Sequence, residues 1–312
     1  MSFDLNILAH GTSKRIQMLD QLNGTLIEIQ SKGGLMNRWM VKHEEQSLEL
    51  ILSNTEDDHF EMNGFRSSKM SPFSCRIDEG KYQLDDQTYA FNKFYLGAHA
   101  IHGLVYDAEF SILSTEVQAN YAQVILLFEY KGTDPGYPFP YDIQLQWTLH
   151  PDHLIGIKTS IVNKSNKVMP LMDGWHPYFT LGGQVDHYLL EFQSKATLVM
   201  RDDMIPTGEI IQENSFEKGL KIGDTIYDDC YLLDPIQNKI QLSYEGKSII
   251  ILPIHNYPYV QLYTPEDRKS ITIENLSGAP DCFNNKMGLQ KLEPHGQIYF
   301  ETSYQFKTTS KL

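Results

Sequence analysis

The sequence predicts an all-β fold, a large antiparallel β-sandwich of many strands. Apolar and polar residues alternate in many short segments from one end of the chain to the other, and turn-forming residues separate these segments. The 3.6-residue period of an amphipathic helix is weak almost everywhere. Such alternation is typical of antiparallel sheets that bury one face, and sheets of this kind pack face to face.

The predicted strands are short, and the most regular of them, residues 142–149, places every second side chain, all apolar, on one face. In chain order, the predicted strands are 26–30, 48–52, 121–130, 142–149, 155–161, 240–244, 249–252, 260–263, 270–274 and 298–306. Helix is expected only in short pieces, for example at residues 92–98. Strand patterns continue across every candidate boundary, and no linker or convincing repeat interrupts them. We therefore interpret residues 1–312 as a single domain.

Composition and charge narrow the class of protein. Hydrophobic residues make up 41% and charged residues 21% of the chain, which is ordinary for a soluble globular protein. The net charge of −14 argues against a nucleic-acid partner and against binding to anionic membranes. No apolar run approaches the length of a membrane span, and the N-terminus lacks the features of a signal peptide.

The three cysteines, Cys75, Cys230 and Cys282, lie far apart and form no CxxC pair. A sparse, odd set of this kind is not typical of a disulfide framework or of a structural zinc site. We expect reduced thiols and a cytoplasmic protein.

Residues 172–179 place one imidazole, His176, inside an apolar and aromatic run. Trp175, Tyr178 and Phe179 offer flat faces of the kind on which sugars stack. Pro177 stiffens the chain beside the histidine because its ring fixes φ. Histidine is easily tuned to transfer a proton near neutral pH, although this stretch taken alone is more typical of a structural core histidine.

Four further residues combine polar chemistry with a rigid setting. Arg76 follows a proline turn, and its planar fork suits either vicinal hydroxyls or a structural ion pair. His102 precedes Gly103, a pattern that indicates a polar contact where something approaches the backbone closely. Asp228 lies at the start of a β run and is a candidate for holding hydroxyls. Glu274 is predicted to end a strand, where a surface glutamate is the alternative.

The spacing of His99 and His102 is compatible with a metal site only if both imidazoles converge. In a strand, residues three apart point to opposite faces, and no carboxylate ligand lies nearby in sequence. We therefore predict no metal ion.

Seven segments, in order along most of the chain, resemble motifs of the aldose 1-epimerases, the galactose mutarotase-like family. They are 71–77 (SPFSCRI), 80–89 (GKYQLDDQTY), 101–103 (IHG), 174–179 (GWHPYF), 205–209 (IPTGE), 227–231 (YDDCY) and 273–284 (IENLSGAPDCFN). The chain departs from the family at Cys75 and Trp175, where the family has asparagine, and at Leu104, where it has glycine. The resemblance is therefore to a divergent branch.

The resemblance implies the galactose mutarotase-like supersandwich and the interconversion of the α and β anomers of an aldose, a small-molecule hexose, without a cofactor. By position, His176 is the general acid and Glu274 the general base, while Arg76, His102 and Asp228 contact the substrate. With His176 as the imidazolium and Glu274 as the carboxylate, a bell-shaped pH profile has its acidic limb from Glu274 and its basic limb from His176.

Three alternatives stay open at this point. Some branches of the superfamily act on hexose 6-phosphates, and Arg38, Arg66, Arg76 and Arg268 are available for a phosphate pocket. A carbohydrate-binding sandwich without turnover is the second alternative. A glycosidase is the third, although it normally needs two carboxylates about the scissile bond. The sequence makes no prediction of the sugar or of the oligomeric state.

Overall fold

The computed structural model describes residues 2–54 and 64–308, and strands dominate both ranges. The strands of the first half are β1 (Phe3–His10), β2 (Ser13–Asp20), β3 (Thr25–Gln30), β4 (Met36–His43), β5 (Gln46–Glu49), β6 (Lys69–Met70), β7 (Arg76–Ile77), β8 (Lys81–Leu84), β9 (Gln87–Ala90), β10 (Tyr95–Leu96), β11 (His99–Ile101), β12 (Ser111–Val117), β13 (Ala122–Tyr130), β14 (Tyr141–His150) and β15 (Leu154–Asn163). Those of the second half are β16 (Met169–Leu171), β17 (Gly174–Trp175), β18 (Tyr178–Phe179), β19 (Leu189–Glu191), β20 (Ser194–Met200), β21 (Pro206–Ile211), β22 (Leu220–Lys221), β23 (Asp228–Leu233), β24 (Ile240–Tyr244), β25 (Lys247–His255), β26 (Tyr259–Tyr263), β27 (Ile271–Leu276), β28 (Gln290–Leu292) and β29 (Gln297–Thr308).

Helix within these ranges is confined to single turns. They are α1 (Cys282–Asn285) and two 3₁₀ turns, Asp78–Gly80 and Val185–His187. The helix predicted at residues 92–98 is wrong. There β10 pairs with β11, and Gly97, with φ of +63°, supplies the turn between them. Glycine adopts this left-handed conformation at little cost, so a hairpin forms where a helical turn was expected.

The all-β prediction is confirmed, because antiparallel sheets build nearly all of the described chain. The largest sheet has nine strands in the order β12-β13-β14-β15-β29-β25-β24-β19-β22. An eight-stranded sheet has the order β21-β20-β23-β26-β27-β17-β6, with β18 also pairing with β27. Strands β1 to β5 form a five-stranded meander, and β10-β11-β7 form a small third layer.

Alternating burial explains why the two large sheets pack face to face. In β15, every second residue from Ile155 to Ile161 is buried, as the sequence pattern predicts. Side chains of the nine-stranded sheet then meet those of the eight-stranded sheet. The rings of Trp147 and Trp175 lie 5.0 Å apart, and Thr302 donates a hydrogen bond to Asn275 at 2.8 Å. One continuous apolar core contains side chains from Phe3 to Phe306, and the single-domain interpretation stays a prediction.

A fully buried ion pair lies beside the strand that leads to His176. Lys69 of β6 bonds to Asp173, whose carboxylate also accepts a hydrogen bond from Tyr257 at 2.6 Å. The Lys69 ammonium group lies 4.3 Å from the ring centroid of Trp175. Burial lowers the pKa of Lys69 to about 8 and raises the pKa of Asp173. Breaking one half of such a pair leaves an uncompensated buried charge, so the pair holds β6 and β17 in register.

No helix in the described part of the chain is long and apolar enough to cross a membrane. All three cysteines lie within the described residues, and each is free and buried.

Candidate active site

Three adjacent strands of the eight-stranded sheet, β23, β26 and β27, bring polar side chains together. Glu274 lies directly opposite Gln261 in the β26–β27 register, and Gln261 Nε2 donates to Asp228 Oδ1 at 2.7 Å. Directly opposed side chains on one face of a sheet are close enough to interact. The expectation that Glu274 ends its strand is wrong. It lies inside β27, every residue of which is buried, because the strand continues to Leu276.

His176 reaches Glu274 from the neighbouring segment of chain. Its Nε2 lies 3.3 Å from Glu274 Oε1, and its ring stacks on that of Tyr178 at 5.3 Å. Backbone hydrogen bonds with Ser67 and Ser68 hold the histidine in place from both sides. Glu274 Oε1 also accepts a hydrogen bond from Thr272 at 3.3 Å, while its Oε2 is buried without a partner. The acid and the base named from sequence are therefore in direct contact.

The small layer β10-β11-β7 covers the same region and supplies the other two predicted contacts. His102 follows β11 with φ of +58°, and its ring lies edge-on to His176 with centroids 4.9 Å apart. Arg76 pairs with Ile101 across β7 and β11. Its guanidinium makes no hydrogen bond or ion pair with any residue that the structure describes, so it is free to bind a ligand.

These groups border a pocket of about 430 Å³, within the range of small-molecule sites. Arg76, His102, Asp228 and Glu274 line it, and His176 lies behind them against His102 and Glu274. The rest of the lining is largely apolar and aromatic. It comprises Gly64, Phe65, Cys75, Phe94, Leu96, Ile101, Tyr178, Met200, Met204, Gln261, Tyr263 and Pro280.

Burial favours the neutral forms of the acid, the base and His102 at the pocket. Loss of solvation, reinforced by the nearby Asp228, raises the pKa of Glu274 well above its usual range. Loss of solvation lowers the pKa of His176 to about 4. Burial and the neighbouring His176 also hold the pKa of His102 well below its usual range. In the free protein, burial thus favours neutral His176 beside protonated Glu274.

The two histidines of the H-x-x-H pattern have different partners. His99 Nδ1 accepts a hydrogen bond from the Glu79 amide at 3.0 Å, and its Nε2 lies 3.3 Å from Asp203 Oδ2. His102 instead faces His176. Among residues 2–54 and 64–308, no group of three or more His, Cys, Asp or Glu side chains is arranged to hold a metal ion.

The backbone approach predicted at Gly103 is confirmed. A Cβ at this position would lie 2.3 Å from the carbonyl oxygen of Ser71. Of the three departures from the family pattern, only Cys75 lines the pocket. Trp175 packs into the sandwich against Trp147, and Leu104 is buried outside the pocket lining.

Sequence reasoning missed Gln261, Met200 and Met204. Gln261 is a buried amide within an otherwise apolar predicted strand, and that is the signal by which it was identifiable. The two methionines carry no such signal, because only the order of the strands brings them to the pocket.

A β-sandwich pocket at which a histidine and a glutamate lie in contact, among further polar groups and aromatic faces, is the kind of site that the sequence motifs predict. Comparison with known proteins agrees. The sequence model of the family described as aldose 1-epimerase matches residues 15–305, so the chain belongs to the aldose 1-epimerase family.

Individual relatives are distant. The uncharacterized protein YihR of Escherichia coli (strain K12) is 24% identical over 248 residues, which cover 76% of this chain and 78% of that protein. A galactose mutarotase-like protein from Clostridium acetobutylicum has a similar structure, with a TM-score of 0.86, 16% identity and 99% of each chain covered. Galactose 1-epimerase from Lactobacillus acidophilus NCFM gives a TM-score of 0.84 at 17% identity, with 98% of each chain covered. The galactose mutarotase-like sandwich predicted from sequence is confirmed.

Proposed function

We propose that this chain is a mutarotase, an aldose 1-epimerase that interconverts the α and β anomers of a hexose. The observation that carries the proposal is the contact of 3.3 Å between His176 and Glu274 at a pocket that also presents Arg76, His102 and Asp228. Family membership supports the same reaction class. A protein that only binds sugars has no need of a buried acid–base pair.

The proposed reaction moves two protons and one bond. Glu274 takes the proton of the anomeric hydroxyl, the C1–O5 bond breaks as C1 becomes an aldehyde, and His176 protonates the ring oxygen. Rotation about C1–C2 presents the other face of the aldehyde, and reclosure runs both transfers backwards. General acid–base assistance of this kind contributes typically ~10² to 10⁴-fold per group.

The protonation states that burial favours differ from those that the reaction needs. The free pair favours neutral His176 and protonated Glu274, whereas the proposed roles need the imidazolium and the carboxylate. Both arrangements hold the same single proton, so its transfer across the contact converts one into the other. The positive charge of Arg76 lowers the pKa of Glu274 and favours the reactive arrangement. The pair therefore titrates as a unit.

The remaining polar groups are suited to hold hydroxyls. Asp228 accepts from Gln261 through one oxygen, and burial raises its pKa. Arg76 offers an unpaired guanidinium, and His102 Nδ1 and Gln261 Oε1 are buried without partners. Buried polar atoms without partners are costly, and ligand hydroxyls would satisfy them.

We further propose that the sugar is unphosphorylated. Arg38 is paired with Glu49 and Arg268 with Asp186, both outside the pocket lining. Arg66 lies over the ring of Tyr178, with 5.9 Å between its Cζ and the ring centroid. Arg76 is thus the one arginine among the described lining residues, and two carboxylates oppose it there. A phosphate group would therefore find a single cationic lining side chain, and the net charge of −14 disfavours an anionic substrate further.

Polarimetry of freshly dissolved α-aldoses, with and without 6-phosphates, tests the proposal. The protein should speed equilibration of at least one free hexose, chelators should leave the rate unchanged, and no 6-phosphate should surpass its parent sugar in kcat/KM. Matched variants are His176→Asn with His187→Asn as control, because His187 is exposed and absent from the pocket lining. Binding without acceleration would show a binding module, and hydrolysis of aryl glycosides would show a glycosidase.

A further inference from the structure

The order of the strands separates the pocket into a chemical end and an apolar end. From β27 to β20 the sheet places Glu274, then Gln261, then Asp228, then Met200 on successive strands. Three inter-strand spacings of ~4.8 Å put the backbones of β27 and β20 about 14 Å apart. The Glu274 and Met200 side chains both line the pocket between them. Met200 therefore lies at the end farthest from the His176–Glu274 contact.

The layer that covers the sheet repeats this order. His102 faces His176 at the chemical end, whereas His99, three residues earlier, faces Asp203 in the β20–β21 connection. Leu96 pairs with His99 and therefore lies at the apolar end, where it is 49% exposed. Both walls of this end are thus built from apolar side chains. We call this set the apolar end: Leu96, Met200 and Met204.

The polar residues beside the apolar end are already paired. Arg201, between the two methionines, bonds to Asp203 and lies 2.9 Å from Asp78 Oδ2. Asp203 also approaches His99 at 3.3 Å. These contacts hold the β20–β21 connection against the turn that follows Arg76. The charged groups nearest to the methionines are therefore already paired with one another. Sugar hydroxyls at this end would lose their water without gaining a charged hydrogen-bond partner.

We propose that the apolar end is a subsite for an apolar group at C3 or C4 of the sugar. Such a group is present in an aldose that lacks the hydroxyl at that carbon or carries it as an O-methyl ether. The inference rests on the proposed mutarotase function and names its substrate class. With C1 and O5 at the Glu274–His176 contact, the C3–C4 edge of a pyranose ring lies on the opposite side and faces Met200. Methionine is flexible and polarisable, so two of them adapt to a methyl or methylene group.

The test compares kcat/KM for anomer exchange of D-glucose, 4-deoxy-D-glucose and 4-O-methyl-D-glucose, and of the corresponding galactose set. The expected preference for one 4-substituted sugar over its parent is about tenfold, the discrimination typical of one methyl-sized group. 2-Deoxy-D-glucose, altered on the chemical side, should show no gain. Met200→Gln and Met204→Gln should abolish the preference, whereas Met40→Gln, which changes a half-buried methionine of the five-stranded sheet, should retain it.

Equal or better use of the parent sugars, or a preference that survives both glutamine variants, would overturn the subsite. Melting curves of the variants establish that they are folded. If no aldose in the set is equilibrated, the mutarotase proposal fails on its own, and the subsite is then decided by binding. Ligand-observed NMR should still show tighter binding of the 4-substituted sugar to the native protein than to Met204→Gln, and equal binding would reject it.

Discussion

The pH dependence of the His176–Glu274 pair is the prediction that departs most from what the motifs alone imply. Burial lowers the pKa of His176 from 6.5 to about 4, a difference of about 3 kcal/mol. With a pKa of about 4, only about one His176 imidazole in a thousand carries a proton at pH 7. Protonation of His176 therefore inactivates the pair at the acidic limb, near pH 4, and loss of the Glu274 proton forms the basic limb. This reverses the assignment made from sequence.

Two measurements test this reversal. Nitrogen NMR of ring-labelled histidine should show His176 titrating near pH 4 in the free protein. In Glu274→Gln the residual kcat/KM should lose its acidic limb and fall as the pH rises through the His176 pKa near 4, because only the imidazolium can donate a proton to the ring oxygen. A His176 that titrates at 6.5 or above would refute the argument, because burial would then not dominate the pair.

The same shift has a consequence for stability. The unfolded chain protonates His176 near 6.5 but the folded protein only near 4, so the unfolded state binds more protons between these values. Folding stability from this group is complete above pH 6.5 and is lost as the pH falls towards 4. The free energy of unfolding measured in urea should therefore fall by about 3 kcal/mol less in His176→Asn than in the native protein when the pH is lowered from 7 to 4. If native protein and His176→Asn lost the same amount of stability over this pH range, the lowered pKa of His176 would be contradicted.

Three other predictions follow from single contacts. Asp228→Ala should raise KM at least as much as it lowers kcat in steady-state assays, since a group that holds hydroxyls acts in ground and transition states alike. Gly103→Ala should lower the melting temperature by several degrees, because the added Cβ would lie 2.3 Å from a carbonyl oxygen. Gly97→Ala has open space around it and should lose only about 1 kcal/mol of folding free energy, a smaller fall in melting temperature. Asp173→Asn should lower the free energy of unfolding by ~3 to 5 kcal/mol in urea titrations, because it leaves the buried Lys69 ammonium without a counter-charge. A loss below ~1 kcal/mol would show that the pair does not stabilise the fold.

Local patterns explain how much of the fold the sequence predicts. Alternation is a property of consecutive residues, so β14 and β15 were identifiable from the chain alone. The hairpin at Tyr95 and Leu96 was not, because it depends on the turn at Gly97 and on pairing with His99. Likewise Glu274 was placed in the right strand but at its end, since two consecutive polar residues, Glu274 and Asn275, resemble a strand end although both are buried inside β27.

The candidate site divides in the same way. The resemblance named His176 and Glu274, but their direct contact arises from segments far apart in sequence. Gln261 enters through cross-strand register, and Met200 through the order of the strands. The preferred protonation states depend on burial, which no motif records.

The central claim, that Glu274 and His176 together catalyse anomer exchange, is tested most directly by two-dimensional exchange NMR on the best hexose of the panel. The rate of exchange between the α and β anomers is measured with native protein, with Glu274→Gln and with Glu217→Gln, which is outside the pocket lining. The account predicts that Glu217→Gln matches native protein and that folded Glu274→Gln loses at least ~10²-fold of the catalysed rate. A folded Glu274→Gln protein that exchanges the anomers at close to the native rate would contradict it.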